Sequence, residues 1–312
     1  MTLQPTDCPR AVQTLYTMRR RFVWMRCARA LAAGLCAMLA LAGCGQIHVT
    51  TVYGSPEGPT IAIGVSADEP GVGMWHDGTY EGFDVTVARY VAARLGYANK
   101  QIVFKQVRPE SRQSMLGSGQ VDMVVASWPI TEASKKVADF AGPYLTTGTG
   151  LLVRFGDSDA FADPSKPKMV GDVGQHSICA VRGDETVEMF RARHSDAVVQ
   201  ERDSYAQCVT ALQAGSADAI ASDLVILGGL QQANGSRYTT VLSDTGTAQS
   251  DAVQYGIAVG KGTEELAGKI AQSLQEMIDD GSWGAARATL KQQTQVDIKL
   301  DGSPAAIVSD AE

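Results

Sequence analysis

A seven-residue signature occurs twice in this chain, in matching surroundings. Leu116-x-x-Gly119-x-x-Asp122 and Leu212-x-x-Gly215-x-x-Asp218 keep a constant offset of 96 residues. Each copy follows a stretch with helical spacing of apolar residues and precedes an apolar, strand-like run. A glycine ends each helix where the backbone turns left-handed, and an Asp leads the strand after a tight turn. A chain that repeats such a unit folds as two half-domains of similar build.

The segments around the signature agree. Ile61–Val65 reads as a buried strand. Asp84 is placed to N-cap a helix with Val85, Ala88, Val91, Ala92 and Leu95 on one face, stopped by Gly96. Residues 102–107 and 121–126 read as strands, 111–118 as a short helix, and Thr131 as the cap of the next helix. The pattern then restarts. Strand-like Ser177–Val181, 198–200 and 218–222 alternate with helical 184–193, Tyr205–Ala214 and 224–233. Such alternation implies an α/β chain with mostly parallel sheets and crossover helices. Residues 255–259 read as a further strand. Thr263 then caps a long helix with Leu266, Ile270, Leu274, Met277 and Ile278 inward, ended by Gly281; residues 300–312 read as a frayed acidic tail.

Charge separates the N-terminal segment from the rest. The formal charge is −7, but residues 1–44 hold six basic groups and one acid, leaving −12 on the remainder. That balance argues against nucleic acid, whose binding rests on Lys and Arg neutralising phosphates. After the Arg cluster, residues 30–42 are uncharged, 13 in a row. This is too short to span a bilayer and suits a signal-peptide apolar region. The run ends Leu41-Ala42-Gly43-Cys44, which resembles a bacterial lipoprotein signal, the alternative being a short membrane-anchor helix. The resemblance implies a signal peptide over 1–43, lipid on Cys44, a polar tether over 44–58, and a location on the outer face of the cell membrane. Cys179 and Cys208 then remain in the mature body. In an exported chain they form a candidate bridge contributing on the order of 3 kcal/mol, the alternative being two separately buried thiols. The four His are scattered, and no spacing suggests a metal site or other cofactor.

An ordered series of motifs carries a resemblance over about residues 59–290. It comprises Glu81-Gly82-Phe83-Asp84-Val85, Ser118-Gly119-Gln120-Val121-Asp122, Ile130-Thr131, Asp139-Phe140-Ala141-Gly142-Pro143-Tyr144, Leu151-Leu152-Val153, Tyr255-Gly256-Ile257-Ala258-Val259 and Asp280-Gly281-Ser282-Trp283. It resembles the family 3 extracellular solute-binding proteins, the polar-amino-acid receptors of ABC importers. Cys179 and Cys208 in their contexts further resemble glutamate/glutamine-binding lipoproteins of high-GC Gram-positive bacteria. The resemblance implies a two-lobed periplasmic-binding-protein type II fold with two hinge crossings, near 146–151 and 251–255. Lobe one would comprise 59–147 plus 254–295, lobe two 152–249, and 296–312 would be a C-terminal tail. The ligand would lie in the cleft.

The resemblance also assigns residues. Asp223 matches the family's ammonium partner and can equally N-cap its helix. Asp68 matches another ligand position. Arg112 matches a cleft-facing Arg, and Arg182 follows the first strand of lobe two. Trp75 and Trp128 flank the expected mouth. The chain departs from the family at the carboxylate clamp: Ser134 stands where an Arg is usual, and Pro129, without an N–H, stands where a backbone donor is usual. Asp184 and Glu185 replace small hydroxyl residues. Either Arg112, Arg182 or a Lys takes over the clamp, or the ligand is not an ordinary α-amino acid. The expected function is a lipid-anchored monomer that captures a glutamate- or glutamine-like solute for an ABC permease. A ligand sensor of the same fold and a binder of a cationic solute are the alternatives. The sequence supplies no nucleophile arrangement, phosphate loop or dinucleotide fingerprint, and an enzyme is not expected.

Overall fold

The computed structural model describes residues 58–243 and 252–308. The expected signal, Cys44 and nearly all of the tether lie outside them. Among the described residues no helix is long and apolar enough to cross a membrane.

The chain opens with β1 (Ile61–Val65) and a small three-stranded antiparallel sheet, β2 (Asp68–Glu69), β3 (Gly73–His76) and β4 (Thr79–Glu81). Helix α1 (Phe83–Arg94), β5 (Ile102–Gln106), α2 (Arg112–Gly117), β6 (Met123–Val124), α3 (Glu132–Val137) and β7 (Asp139–Thr147) follow. The chain then crosses to a second sheet through β8 (Thr149–Arg154), β9 (Ala162–Asp163) and β10 (Lys166–Val170). It continues with β11 (Ser177–Val181), α4 (Glu185–Arg193), β12 (Val198–Arg202), α5 (Tyr205–Ala214), β13 (Ala219–Asp223), α6 (Leu224–Asn234) and β14 (Tyr238–Ser243). It returns through β15 (Val253–Val259), α7 (Glu264–Asp279), α8 (Ser282–Thr294) and β16 (Ala305–Ile307).

The strand orders are β16-β7-β15-β6-β1-β5 and β12-β11-β13-β8-β14-β10-β9. This is the two-lobed type II α/β fold. One crossing falls at Gly148, between the end of β7 and the start of β8. The other runs from β14 to β15, partly outside the described residues.

The repeated signature has a shared physical role. Gly119 and Gly215 take left-handed backbone at φ 68° and 71°. Each following Asp then meets the parallel strand beside its own. Asp122 accepts from Ala62 N at 2.7 Å and donates to Ala62 O at 2.8 Å. Asp218 accepts from Ser177 N at 2.9 Å and donates to Ser177 O at 2.7 Å. The carboxylate satisfies a strand-end donor, which sets the register of two parallel strands. β6 accordingly pairs parallel with β1, and β13 with β11. Cys179 on β11 and Cys208 on α5 are joined in a disulfide, tying helix to sheet in lobe two.

Several expectations are corrected. Asp84 does not cap α1. Gly82 does, at φ 120°, where a Cβ would stand 2.3 Å from Val72 O. Asp84 lies in the first turn, two residues past the cap, fully buried, because Ser127 N and Tyr144 Oη offer it donors. Thr263 precedes α7 without a side-chain cap. Asp139 from β7 supplies that acceptor instead, taking Gly262 N at 2.8 Å and Thr263 N at 3.2 Å. The expected tail over 296–312 is not a frayed end throughout. Ile298 is buried, and Ala305–Ile307 pairs with Gly142, Ala141 and Phe140 as an edge strand beside β7. This short apolar run stands in an otherwise polar and acidic segment, and an open sheet edge can recruit it. Gly281, expected only as a stop, also opens α8.

Candidate functional site

The lobes meet along a buried polar seam. From lobe one, α2 projects Arg112, 2% exposed, onto the segment after β6. Its Nη2 donates to Ala126 O at 2.7 Å and its guanidinium lies 5.7 Å from the Trp128 ring centroid. Lobe two answers with Glu185, the first residue of α4. Glu185 Oε2 accepts from Arg112 Nη1 at 3.2 Å, and Oε1 accepts from Trp128 Nε1 at 2.6 Å. Trp128 is in turn held edge-on against Phe140. Two further bonds cross the seam. Asp68 Oδ2 accepts from Tyr205 N at 2.8 Å at the start of α5, and Tyr255 Oη on β15 donates to Asp223 Oδ2.

Helix starts position the acids of lobe two. Asp223 caps α6, accepting from Val225 N and Ile226 N through Oδ1. Asp184 caps α4 through Thr186 N, while its Oδ2 accepts from Tyr205 Oη at 2.6 Å. In lobe one Glu69, 1% exposed, accepts from Ser66 Oγ at 2.9 Å and Ser127 Oγ at 2.8 Å.

Burial dominates the electrostatics. It pushes Asp223 up to about 7, against the opposing bonds from Tyr255 and Ile226 N. It pushes Asp84 up to about 7, against those from Ser127 N and Tyr144. Glu69 is driven well above the usual carboxylate range by desolvation, although Arg112 pulls it back. Glu185 and Asp68 are raised for the same primary reason. Desolvation works against the charge on Arg112, but Glu185, Glu69 and Asp184 around it outweigh that and hold it firmly cationic.

Of the residues picked out in the sequence, the fold gathers Asp68, Arg112, Trp128, Asp184, Glu185 and Asp223 along this seam. Arg182 is not brought in. Its side chain is half-exposed, with Nη1 2.8 Å from Asp203 and 3.8 Å from Glu110, because an uncompensated cation finds acids at the rim first. Trp75 is also outside, exposed on β3 and edge-on to Tyr80. Ser134 is committed locally: its Oγ accepts from Thr131 N at 2.8 Å, and Thr131 Oγ1 accepts from Ser134 N at 3.0 Å. Lys135 pairs with Glu132. Neither contact contributes to the seam. Glu69, Asp84, Tyr144, Tyr205 and Tyr255 are not among the site residues that the sequence singles out. Tyr144 and Tyr255 sit in apolar runs and read as core, Tyr205 reads as an ordinary first-turn helix residue, and Glu69 stands beside the more conspicuous Asp68.

Two α/β lobes joined by paired crossings, with polar groups opposed between them, define a binding protein that closes around a small solute. Comparison with known proteins gives the family. The model for bacterial extracellular solute-binding proteins, family 3, matches residues 61–289, and the chain belongs to that family. It is therefore an extracytoplasmic solute-binding receptor and not an enzyme. The ABC transporter glutamine-binding protein GlnH of Bacillus subtilis is 33% identical over 262 residues, covering 80% of this chain and 91% of that protein. The glutamate-binding protein GluB of Corynebacterium efficiens is 28% identical over 273 residues, covering 85% and 90%. An ancestral arginine-binding protein bound to glutamine superposes with a TM-score of 0.64 at 27% identity, covering 73% of this chain and 96% of that one. A solute receptor for L-cysteine of Neisseria gonorrhoeae shares the fold, with a TM-score of 0.68 at 23% identity, covering 78% and 96%.

Proposed function

We propose that this chain is the lipid-anchored, monomeric receptor of an amino acid ABC importer. Held to the outer face of the membrane through Cys44, it captures a polar amino acid between its lobes and delivers it to a permease. The observation that carries this reading is that Arg112 of lobe one meets Glu185 of lobe two, while Asp223 of lobe two meets Tyr255 of lobe one across the same seam. A zwitterion needs a cation for its carboxylate and an acid for its ammonium, both desolvated and both hydrogen-bonded. Arg112 serves the carboxylate, in place of the clamp absent at Ser134. Asp223 serves the ammonium while keeping its role as helix cap. The names of the relatives, for glutamine and glutamate, support the amino acid class.

Calorimetric titration of the full chain in detergent against the common amino acids tests this. One-to-one binding, with the ligand recovered unchanged, is the expected result. A ligand at a hundred times its Kd stabilises the fold by about 2.7 kcal/mol, which a thermal melt resolves. Heat signals and melting curves unmoved by every amino acid would overturn the proposal.

A further inference from the structure

Arg112 is held by a segment whose central residue has an uncommon backbone. Ser127, after β6, takes left-handed backbone at φ 45° although it carries a side chain, and it is buried. A residue other than glycine stays there only where its surroundings over-determine it. Two acids from different elements do so. Asp84 of α1 accepts from Ser127 N at 2.7 Å, and Glu69 of β2 accepts from Ser127 Oγ at 2.8 Å. Tyr144 and Ser66 donate to the other oxygens of these two acids, at 3.0 and 2.9 Å, so neither carboxyl is free to swing away.

The N–H that Asp84 holds belongs to the same peptide unit as the carbonyl that holds Arg112. Ala126 O accepts from Arg112 Nη2 at 2.7 Å, and Ser127 N donates to Asp84 Oδ2. This unit is planar and trans, so its N–H and C=O point in opposite directions. Fixing the N–H on a buried acid therefore fixes the direction of the carbonyl. The guanidinium is itself a planar fork, and anchoring Nη2 sets where its remaining donors point. Those are Nη1, on Glu185 at 3.2 Å, and Nε, which has no hydrogen-bond partner among the described residues. Trp128, the residue after Ser127, brings its ring to 5.7 Å from the same guanidinium. The chain thus meets Arg112 on both sides of its left-handed residue.

We propose that Asp84 and Glu69 are positioning residues for amino acid binding: they hold Ser127 in its left-handed backbone and thereby aim Arg112 at the ligand's α-carboxylate. Neither acid has to touch the ligand. The inference rests on the reading of Arg112 given above.

The test is calorimetric titration of the full chain in detergent with two probes. One is whichever common amino acid binds the wild type tightest. The other is the α-carboxamide of that amino acid, which lacks the carboxylate charge. The wild type is expected to favour the acid over the amide by about tenfold or more, and D84A to cut that ratio by about tenfold. Poorer aim at the carboxylate weakens the acid and spares the amide, whereas a merely structural role weakens both alike. D84N, whose amide oxygen still accepts from Ser127 N, is expected to keep the ratio within about threefold. Where D84A does not fold, S127A decides: it frees Ser127 from Glu69 alone and should lower the ratio about threefold. An unchanged ratio in folded D84A, or in S127A where D84A does not fold, overturns the inference and leaves the amino acid reading intact. A D84N ratio as low as that of D84A overturns it too, since the bond to Ser127 would then not be what matters. A wild type that binds acid and amide equally removes Arg112 from the carboxylate, and this inference with it. No heat with any common amino acid overturns the amino acid reading itself.

Discussion

The phenol of Tyr255, on a strand of lobe one, donates to the carboxyl of Asp223, the residue that caps a helix of lobe two. Both groups are fully buried, and burial lifts Asp223 to about 7. Asp84, beneath Ser127 and Tyr144 in lobe one, is lifted to a similar value. A carboxyl raised in the folded state binds its proton more tightly there than in the unfolded chain. Its contribution is therefore complete below about pH 4 and is lost as pH rises through about 7. Without added amino acid, stability should fall between pH 5 and pH 8 by up to about 1.4 kcal/mol per pH unit for each group in its titration range, and the melting temperature with it. Asp223→Asn should flatten the profile. Differential scanning calorimetry across that range checks it, and a melting temperature that climbs towards pH 8 would contradict the assignment.

Arg112 offers a different test, because three of its neighbours are acids. Truncation to Ala would strip Glu185 and Glu69 of their cation within a closed seam. Breaking a buried pair in this way costs about 3–5 kcal/mol, less whatever the acids recover by taking up protons. Arg112→Lys is not a conservative change here. A single ammonium cannot reach Ala126 O and Glu185 together as the forked guanidinium does. Both variants should unfold at lower denaturant and bind amino acid at least tenfold more weakly. Lysine matching arginine in both readings would show that the fork is not used.

Much of this architecture was legible before any coordinates. The doubled Leu-x-x-Gly-x-x-Asp signature works because its parts act locally: a glycine in left-handed backbone and an Asp on a backbone N–H at or near the start of the neighbouring strand. Thr131 and Asp223 were readable as caps for the same reason. The site was only partly legible. Arg112, Glu185 and Asp223 stood out as charges in otherwise ordinary contexts, but nothing local distinguishes them from Arg182, which ends at the rim. Which acids become buried depends on two lobes meeting, and that is a property of tertiary structure. Tyr205 and Tyr255 show the limit most plainly: within their own elements they are core residues, and only the opposite lobe turns their hydroxyls into donors. Asp84 misled in the reverse direction, since a cap position and a buried acceptor two residues later share the same sequence neighbourhood.

The Cys179–Cys208 link closes a loop with a sequence separation of 29, within lobe two alone. By the chain-entropy relation this contributes about 3 kcal/mol. Replacing both residues by Ala should therefore lower the melting temperature by about 6–12 °C for a chain of this size. Reductant should reproduce the effect on the wild type and do nothing to the double variant. If reductant shifts neither protein, the bridge carries no stability.

The seam also depends on backbone approach, which gives the last test. Gly229 of α6 packs so closely on lobe one that a Cβ there would stand 1.9 Å from the Pro70 carbonyl oxygen. Its neighbour Gly228 meets the Thr294 carbonyl oxygen at 2.5 Å in the same sense. Both obstacles are backbone, which cannot yield as a flexible side chain would. A helix interior tolerates Ala better than Gly, so Gly229→Ala should favour α6 itself. Its whole cost must therefore appear where α6 meets the segment after Glu69. The expected result is a lobe-two fold of unchanged or better stability, held away from lobe one. In small-angle scattering the variant should have a larger radius of gyration than the wild type. Its affinity for amino acid should fall about tenfold or more, since Asp223 and Glu185 ride on the same lobe. A variant as compact as the wild type that binds equally well would mean that closure does not pass through this contact.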